Sequence, residues 1–317
     1  EISCSLVGSE MCIRDRSVIG CGTKDTKEQD AYRQYGITCM ESGKYEDAVK
    51  AFQNALGESI GHIGEKELDI CFYKAKAQAL DGKTKDALAT YDAIIKYNKD
   101  ARAYYLRGDL YMDMGEEKKG KADFESAVQH GKKNYEIYIG IYESLSRHEK
   151  KDEGQKYLSA AMEIKGDKPE DELYKGRISY LLGENKDAIS YLEKAKEHKQ
   201  MLASYYLGLA YDANGDSDKA KKCIAEYIKS GVATSYDLYE LGMQEMQDGN
   251  YKNALTYFNS GLELEKVPNK QNLMKSAIAA YEYSGDFDSA KKMMKEYLKA
   301  YPDDEEAKHE NTFLETR

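Results

Sequence analysis

The chain has 317 residues, and its 57 acidic side chains outnumber the 47 basic ones, which gives a net charge of −10 at pH 7. That balance argues against a nucleic-acid-binding protein, because phosphate backbones are bound by basic surfaces. It suits solubility or a basic partner. Only 3 prolines interrupt the chain, so long runs of helix are permitted.

The first sixteen residues are predicted to be foreign to the protein. Residues 6–16, with the sequence LVGSEMCIRDR, resemble one reading frame of a transposon-derived sequencing adaptor. Segments added by cloning or processing do not bear on the fold, so residues 1–16 are set aside together with Cys4 and Cys12. The alternative is a genuine terminal segment without a fixed structure.

The next segment carries a pattern typical of bacterial lipoproteins. Val-Ile-Gly at positions 18–20 precedes Cys21, which resembles a lipobox, the signal in which such a cysteine is lipidated. Two acyl chains on one residue suffice for stable anchoring, where one chain gives marginal binding. Residues 17–29 are therefore predicted to be a lipobox remnant and flexible tether of an extracytoplasmic protein. The alternative is an ordinary cysteine, with a cytoplasmic location.

From about residue 30 the chain repeats one pattern of small and large side chains. A small residue is followed by a second small residue after twelve positions, a large one after four more and another small one after three more. The copies, looser ones included, are Gly36, Ala48, Phe52, Ala55; Ala75, Ala87, Tyr91, Ile94; Gly108, Gly120, Phe124, Ala127; Ile141, Glu153, Tyr157, Ala160; Gly176, Ala188, Leu192, Ala195; Gly208, Ala220, Ile224, Tyr227; Gly242, Ala254, Phe258, Gly261; and Ile278, Ala290, Met294, Tyr297. Their second members are spaced 39, 33, 33, 35, 32, 34 and 36 residues apart. A period of about 34 residues indicates a helical repeat.

Each copy is predicted to fold as two antiparallel helices joined by a tight turn. Apolar residues recur at helical spacing on both sides of a glycine five residues before the second member, as at Gly43 and Gly183. Glycine ends a helix at little cost because it readily adopts left-handed backbone. Only the fourth copy lacks this glycine, between Arg147 and Asp152. The 39-residue spacing between the first two copies indicates a glycine-punctuated loop at 57–64.

These residues resemble the tetratricopeptide repeat (TPR) consensus. That consensus has an aromatic residue and a Leu-Gly pair in the first helix, followed by an alanine, a phenylalanine, a second alanine and a closing proline. Leu-Gly pairs end at Gly208 and Gly242, and Pro302 closes the last copy, although the chain has no Trp. The resemblance covers about residues 30–302. It implies an all-α fold, an α-solenoid of about eight TPR-like helix-turn-helix repeats forming a right-handed superhelix.

The segment after the last repeat is predicted to cap the array. Residues 303–306 supply acidic side chains to a first helical turn, where the helix dipole favours negative charge. Terminal repeats of such arrays need a polar outer face. Residues 303–317 are therefore predicted to form a C-terminal capping helix.

The resemblance also implies a binding groove, because in TPR arrays the first helix of each unit builds most of the concave face. Carried across to this sequence, the pattern predicts a peptide-binding groove that includes Phe72 and Lys76. The other groove residues are Arg33, Met40, Arg102, Tyr105, Asp109, Tyr138, Tyr142, Arg177, Tyr180, Tyr205, Tyr236, Tyr239 and Met243. Tyrosine and methionine recur at protein-binding surfaces. The alternative is that many of these tyrosines only pack against neighbouring helices. Some TPR domains clamp a peptide's terminal carboxylate with Lys and Asn, but Ile37 stands where that clamp needs Asn.

The sequence offers no recognisable reaction chemistry. The five histidines are dispersed, and none stands at metal-ligand spacing from another His or Cys. There is no glycine-rich phosphate loop and no serine or cysteine nucleophile in a recognisable setting. No catalytic site, metal or cofactor is therefore predicted.

The sequence predicts a non-enzymatic scaffold that binds a protein or peptide and is lipid-anchored on the extracytoplasmic side of a bacterial membrane. It predicts no nucleic-acid partner and membrane contact only through a lipid at Cys21. The alternative is a cytoplasmic TPR peptide sensor or adaptor. An enzyme with a hidden helical active site is a third reading, which no constellation of residues supports.

Overall fold

The computed structural model describes residues 27–59, 63–166 and 168–316. The predicted adaptor, lipobox and Cys21 lie outside these residues. The described chain forms seventeen helices and no strand. They are α1 (Lys27–Glu41), α2 (Tyr45–Gly57), α3 (Glu65–Leu80), α4 (Thr84–Asn98), α5 (Ala101–Asp113), α6 (Glu117–His130), α7 (Tyr135–Arg147), α8 (Lys151–Met162), α9 (Pro169–Leu182), α10 (Asn185–Glu197), α11 (Ala203–Ala213), α12 (Ser217–Lys229), α13 (Ser235–Gln247), α14 (Tyr251–Leu262), α15 (Lys270–Ser284), α16 (Phe287–Ala300) and α17 (Glu305–Glu315).

Sixteen of these helices form eight consecutive pairs, from α1–α2 to α15–α16, and α17 follows the last pair. Two or three residues join the helices of each pair, so the second helix runs back along the first. The predicted all-α architecture of helical repeats is confirmed. Contacts divide the helices into two compact units, the larger with α1–α12 and the smaller with α13–α17.

Left-handed backbone follows the first helix of every pair. Seven of the eight positions hold the predicted glycines, which are Gly43, Gly82, Gly115, Gly183, Gly215, Gly249 and Gly285. In the fourth pair the residue is Glu149, with a φ of 61°. A non-glycine residue in this conformation costs about 1–2 kcal/mol because its Cβ crowds the carbonyl oxygen. The turn geometry is therefore shared even where the glycine is missing.

The fourth repeat lies one residue later in the chain than its sequence pattern suggested. Glu149 stands five residues before Gly154, and Gly154, Leu158 and Ala161 are buried, whereas Ala160 is exposed. The assignment of Ile141, Glu153, Tyr157 and Ala160 to this repeat is wrong by one position. The correct members are Tyr142, Gly154, Leu158 and Ala161, which changes the second-member spacings on either side to 34 and 34 residues.

Tyr142 of the fourth repeat stands where the other repeats have a smaller residue. A Cβ added at Gly154 would lie 3.0 Å from Tyr142 Cδ2 and 3.1 Å from Tyr142 Cα. The bare backbone of Gly154 therefore makes room for the larger side chain opposite. This exchange of sizes is the physical reason for the misplaced pattern.

In other repeats the first helix presents a glycine to a large side chain of the second helix. A Cβ on Gly176 would lie 2.4 Å from Leu192 Cγ, and one on Gly242 would lie 2.3 Å from Phe258 Cε1. Leu192 and Phe258 are fully buried, and burying such a side chain contributes about 1.5–3 kcal/mol. We call this packing of a first-helix glycine against a large second-helix side chain the small-over-large contact. It sets how closely the two helices of a pair approach.

The last helix packs against the final pair. Ala307 and Leu314 of α17 are buried in a cluster with Met294 and Tyr297 of α16. Asp304 begins the helix by accepting a hydrogen bond from the backbone N–H of Ala307, at 3.0 Å. α17 therefore occupies the segment predicted to form the C-terminal capping helix.

Replacing Glu149 with glycine is expected to stabilise the protein. Glycine removes the left-handed strain but costs backbone entropy, so the free energy of unfolding should rise by about 0.5–1 kcal/mol. Urea denaturation followed by circular dichroism measures the change. Glu149→Ala is the matched control, since it removes the same exposed side chain and keeps the strain. Equal effects of the two substitutions would show that the backbone conformation is not the cause.

Candidate peptide-binding face

The first helices of neighbouring pairs form a continuous surface in the larger unit. Contacts join α1 to α3, α5 to α7 and α9 to α11, while the second helix of each pair packs between successive first helices. We call the side of these helices that carries Arg33, Phe72, Lys76, Arg102, Tyr105 and Arg177 the first-helix face. Ion pairs and ring contacts between successive first helices identify its residues.

The link between α1 and α3 is an ion pair beside an aromatic ring. Arg33 Nη2 lies 2.6 Å from Asp69 Oδ2, and Arg33 Nε donates to the same oxygen at 2.8 Å. The guanidinium also lies over the Tyr73 ring, 5.3 Å from its centroid. The arginine is thereby committed to internal partners and leaves little charge for a ligand.

The link between α3 and α5 is a guanidinium stacked on a buried ring. Arg102 Cζ lies 4.5 Å from the centroid of the Phe72 ring, and Arg102 Nη2 lies 3.1 Å from Asp100 Oδ2. Lys76 lies one helical turn after Phe72, on the same side of α3. Burial lowers the pKa of Lys76. Arginine and lysine thus flank a surface built on an aromatic residue.

The link between α5 and α7 is a buried ion pair. Asp109 is only 2% exposed, and its Oδ1 accepts a hydrogen bond from Arg147 Nη2 at 2.5 Å. Directly after α7, His148 Nε2 lies 3.2 Å from Asp113 Oδ1 of α5. Burial and the nearby Asp109 raise the pKa of Asp113. Asp109, a predicted groove residue, is therefore engaged inside the protein.

The link between α7 and α9 centres on Arg177. Its Nη2 donates to Glu143 Oε1 at 3.0 Å, and its Nη1 lies 3.6 Å from Glu136 Oε2. Its Cζ also lies 5.4 Å from the centroid of the Tyr206 ring on α11. Burial raises the pKa of Glu143, although Arg177 opposes this shift. Arg177 thus joins three successive first helices.

Two predicted groove tyrosines lie in the protein core, as does the predicted groove residue Phe72. Tyr138 and Tyr142 are 5% and 7% exposed and pack with Leu158 and Ala161 of α8. The Tyr142 hydroxyl donates to the backbone oxygen of Leu181, at 3.4 Å. Their assignment to the groove came from the one-residue error in the fourth repeat. Both side chains support helix packing instead of offering area to a ligand.

Other predicted residues of the larger unit remain partly exposed on the first-helix face. Tyr105 lies against the bare backbone of Gly140 on α7, where an added Cβ would lie 2.6 Å from Tyr105 Cζ. Burial and Asp109 raise the pKa of its hydroxyl well above the ordinary value. The half-buried members of the predicted set in this unit are Arg33, Met40, Arg102, Tyr105, Arg177, Tyr180 and Tyr205.

The smaller unit has its own face, formed by α13 and α15. The predicted groove residues Tyr236, Tyr239 and Met243 are half-buried on α13. Tyr239 packs against Phe258 with ring centroids 6.1 Å apart, and Ser276 Oγ donates to Met243 Sδ at 3.6 Å. These side chains contribute to packing and also keep part of their surface accessible.

Sequence reasoning missed Glu143 and Arg147 as residues of the first-helix face. With the fourth repeat shifted by one position, both fall at the helical positions that Arg177 and Asp113 occupy in their own repeats. Gly154 was the available signal, since choosing it as the small residue makes the repeat spacing more even. The corrected register replaces Tyr138 and Tyr142 by Ile139, which is buried, and Glu143.

The described residues offer little support for other chemistry. They contain no group of three or more His, Cys, Asp or Glu side chains placed to hold a metal ion. Cys39, Cys71 and Cys223 are unpaired thiols, and burial raises the pKa of Cys71 and Cys223. Within the same part of the chain, every helix is too short or too polar to cross a bilayer.

Several solved structures resemble this one. A tetratricopeptide repeat protein from Parabacteroides merdae ATCC 43184 is 12% identical, with a TM-score of 0.47 over 80% of this chain and 99% of that one. PilW, described as a widely conserved type IV pilus biogenesis factor, is 18% identical, with a TM-score of 0.44 over 66% and 97%. With TM-scores below 0.5, these likenesses carry no inference about function. No curated protein sequence matches the chain.

Family models give a direct match to the repeats. Three models of the tetratricopeptide repeat match residues 36–95, residues 101–129, and residues 202–230 together with 271–304. These matches fall on the helix pairs in which the small-over-large pattern and the left-handed turns recur. The chain therefore belongs to the tetratricopeptide repeat family.

Proposed function

We propose that this protein is a non-enzymatic scaffold that binds a peptide segment of its partner on the first-helix face. Tetratricopeptide repeats support a protein-interaction scaffold, and such folds typically carry no reaction chemistry of their own. The net charge of −10 further favours a protein or peptide over a nucleic acid as the partner.

The observation that carries this proposal is the way charges are paired on the face. Arg33, Asp109 and Arg177 are held in ion pairs between helices, so these charges serve to fix the surface. The half-buried rings of Tyr105 and Tyr180 offer apolar area with a polar edge, a combination enriched at protein interfaces. A largely preformed surface of this kind loses little entropy on binding.

Changing the first-helix face should weaken peptide binding without unfolding the helices. Arg102→Glu and Tyr180→Ala alter half-buried residues of the face, and each is expected to reduce affinity about 10-fold or more. Peptides selected from a random library against the full chain serve as ligands, and fluorescence anisotropy measures their affinity.

The controls make the same chemical changes on second helices. Lys118→Glu on α6 and Tyr97→Ala on α4 should leave affinity within about twofold, because surface changes away from a site have small effects. Far-ultraviolet circular dichroism confirms that helix content is unchanged. If the α4 and α6 substitutions weaken binding and the face substitutions do not, the binding site lies on the second helices.

We also propose that Cys21 anchors the protein to the extracytoplasmic side of a bacterial membrane. The lipobox-like sequence at 18–21 supports this location. With the natural upstream sequence restored, a fatty-acid probe should label the protein in the membrane fraction, and Cys21→Ala should abolish that labelling. Cys71→Ala is the matched control and should be labelled like the parent. Equal labelling of the Cys21→Ala variant would rule out the anchor.

A further inference from the structure

Lys76 differs from the charged residues around it on the first-helix face. Asp69 lies two turns before it on the same helix and is paired with Arg33, and Arg102 is paired with Asp100. Asp109 of α5 is paired with Arg147 of α7. Lys76 has no hydrogen bond or ion pair with any residue in the part of the chain that the structure describes.

The Lys76 side chain is also partly removed from water. The side chain is half-buried, and burial lowers its pKa with no acidic neighbour acting in the opposite direction. Holding a cation in such a place without a counter-charge is unfavourable. A carboxylate that arrives with a ligand would supply the missing partner and would be recognised by a charge-assisted hydrogen bond.

The surroundings of Lys76 restrict what kind of acidic ligand fits. Phe72, one turn before it, is buried, so the accessible apolar neighbours are the half-buried Ile37 and Met40 of α1, the adjacent first helix. The protein carries a net charge of −10, which repels a strongly acidic tract at long range. A single carboxylate in an apolar segment carries little charge and is repelled less. Its attraction to Lys76 acts at short range.

We propose that Lys76 binds the side-chain carboxylate of one Asp or Glu in an otherwise apolar peptide segment lying on the first-helix face. This inference rests on the proposed function of that face. A terminal carboxylate is a poorer fit, because Ile37 on the adjacent first helix offers no polar side chain to a chain end. The acidic side chain therefore determines the register of the peptide, and its apolar neighbours supply most of the contact area.

Peptide selection against the full chain tests this specificity. A random library of twelve-residue peptides is selected against the parent protein, and the recovered peptides are expected to share one Asp or Glu flanked by apolar residues. Changing that acid to Asn or Gln should weaken binding to the parent at least tenfold. Amidating the peptide's C-terminus should leave affinity unchanged, whereas a loss on amidation would assign the site to a chain end and overturn the proposal.

Substitution at Lys76 supplies the second half of the test. Lys76→Met keeps a similar volume without the charge, and it should bind the acidic and amide peptides equally. Lys74→Met on another side of α3 is the matched control and should keep the tenfold preference. If Lys76→Met also keeps that preference, Lys76 does not recognise the acid. The comparison of peptides on the parent protein holds even if this variant folds poorly.

The outcomes separate this inference from the function on which it rests. If binding depends on Arg102 and Tyr180 but shows no preference for an acidic peptide, the face binds peptides and the role of Lys76 is wrong. If no peptide is recovered, or binding ignores every substitution on the face, the proposed function fails and the inference fails with it.

Discussion

Replacing Phe258 with alanine is expected to lower the free energy of unfolding by about 3–5 kcal/mol, as for other large buried rings. Phe258 of α14 is fully buried against α13 and packs with Leu273 of α15. Its ring fills the space that Gly242 leaves open on α13. Urea denaturation followed by circular dichroism measures the loss, provided that the transition is analysed for the smaller unit.

A second substitution shows whether the cost of adding a side chain at Gly242 depends on the Phe258 ring. A Cβ on Gly242 would lie within 2.8 Å of three Phe258 ring atoms, so Gly242→Ala alone should cost about 1–3 kcal/mol by overpacking. In the Phe258→Ala background the clash is absent, and alanine should become neutral or gain up to about 1 kcal/mol of helix propensity. The same cost in both backgrounds would refute the small-over-large contact.

Replacing Arg147 with leucine is expected to destabilise the larger unit by about 3 kcal/mol, the lower end for removing one partner of a buried ion pair. The loss arises because Asp109 stays buried without its counter-charge. The Arg147 side chain is 23% exposed, which limits the effect because solvent screens part of the interaction. Chemical denaturation at neutral pH measures the change.

A double substitution shows whether Asp109 and Arg147 affect stability as a pair or independently. Asp109→Leu with Arg147→Leu removes both charges and should recover most of the loss, since a well-packed apolar pair often replaces a buried ion pair without cost. Lys118→Leu, a comparable loss of charge on the surface of α6, should stay within about 0.5 kcal/mol of the parent. Additive losses in the double variant would show that the two side chains act independently.

The repeat architecture could be predicted because its signals are local and recur. Glycine at the turns, as at Gly43 and Gly183, and the spacing of small residues both follow from backbone and packing constraints. The fourth repeat hid those signals, because Glu149 replaces the turn glycine and Tyr142 replaces a small residue. Side-chain size in sequence does not reveal that Gly154, on the facing helix, makes room for the tyrosine.

The candidate site was less predictable because a helix turns by about 100° per residue. One residue of error in the fourth repeat was enough to place Tyr138 and Tyr142 on the groove, whereas the structure packs them in the core. The correctly registered repeats gave half-buried face residues such as Arg102 and Tyr180. The pairing of Asp109 with Arg147 joins residues 38 apart in the chain, and residue types alone do not specify such partners.

Site-specific photo-cross-linking tests most directly whether the first-helix face binds the ligand. A photoreactive amino acid is placed at Arg102 or Tyr180 on the face, and at Tyr97 or Lys118 on second helices as controls. With a peptide selected against the full chain, adducts are expected from the two face positions and not from the control positions. Adducts formed only at Tyr97 or Lys118 would contradict peptide binding on the first-helix face.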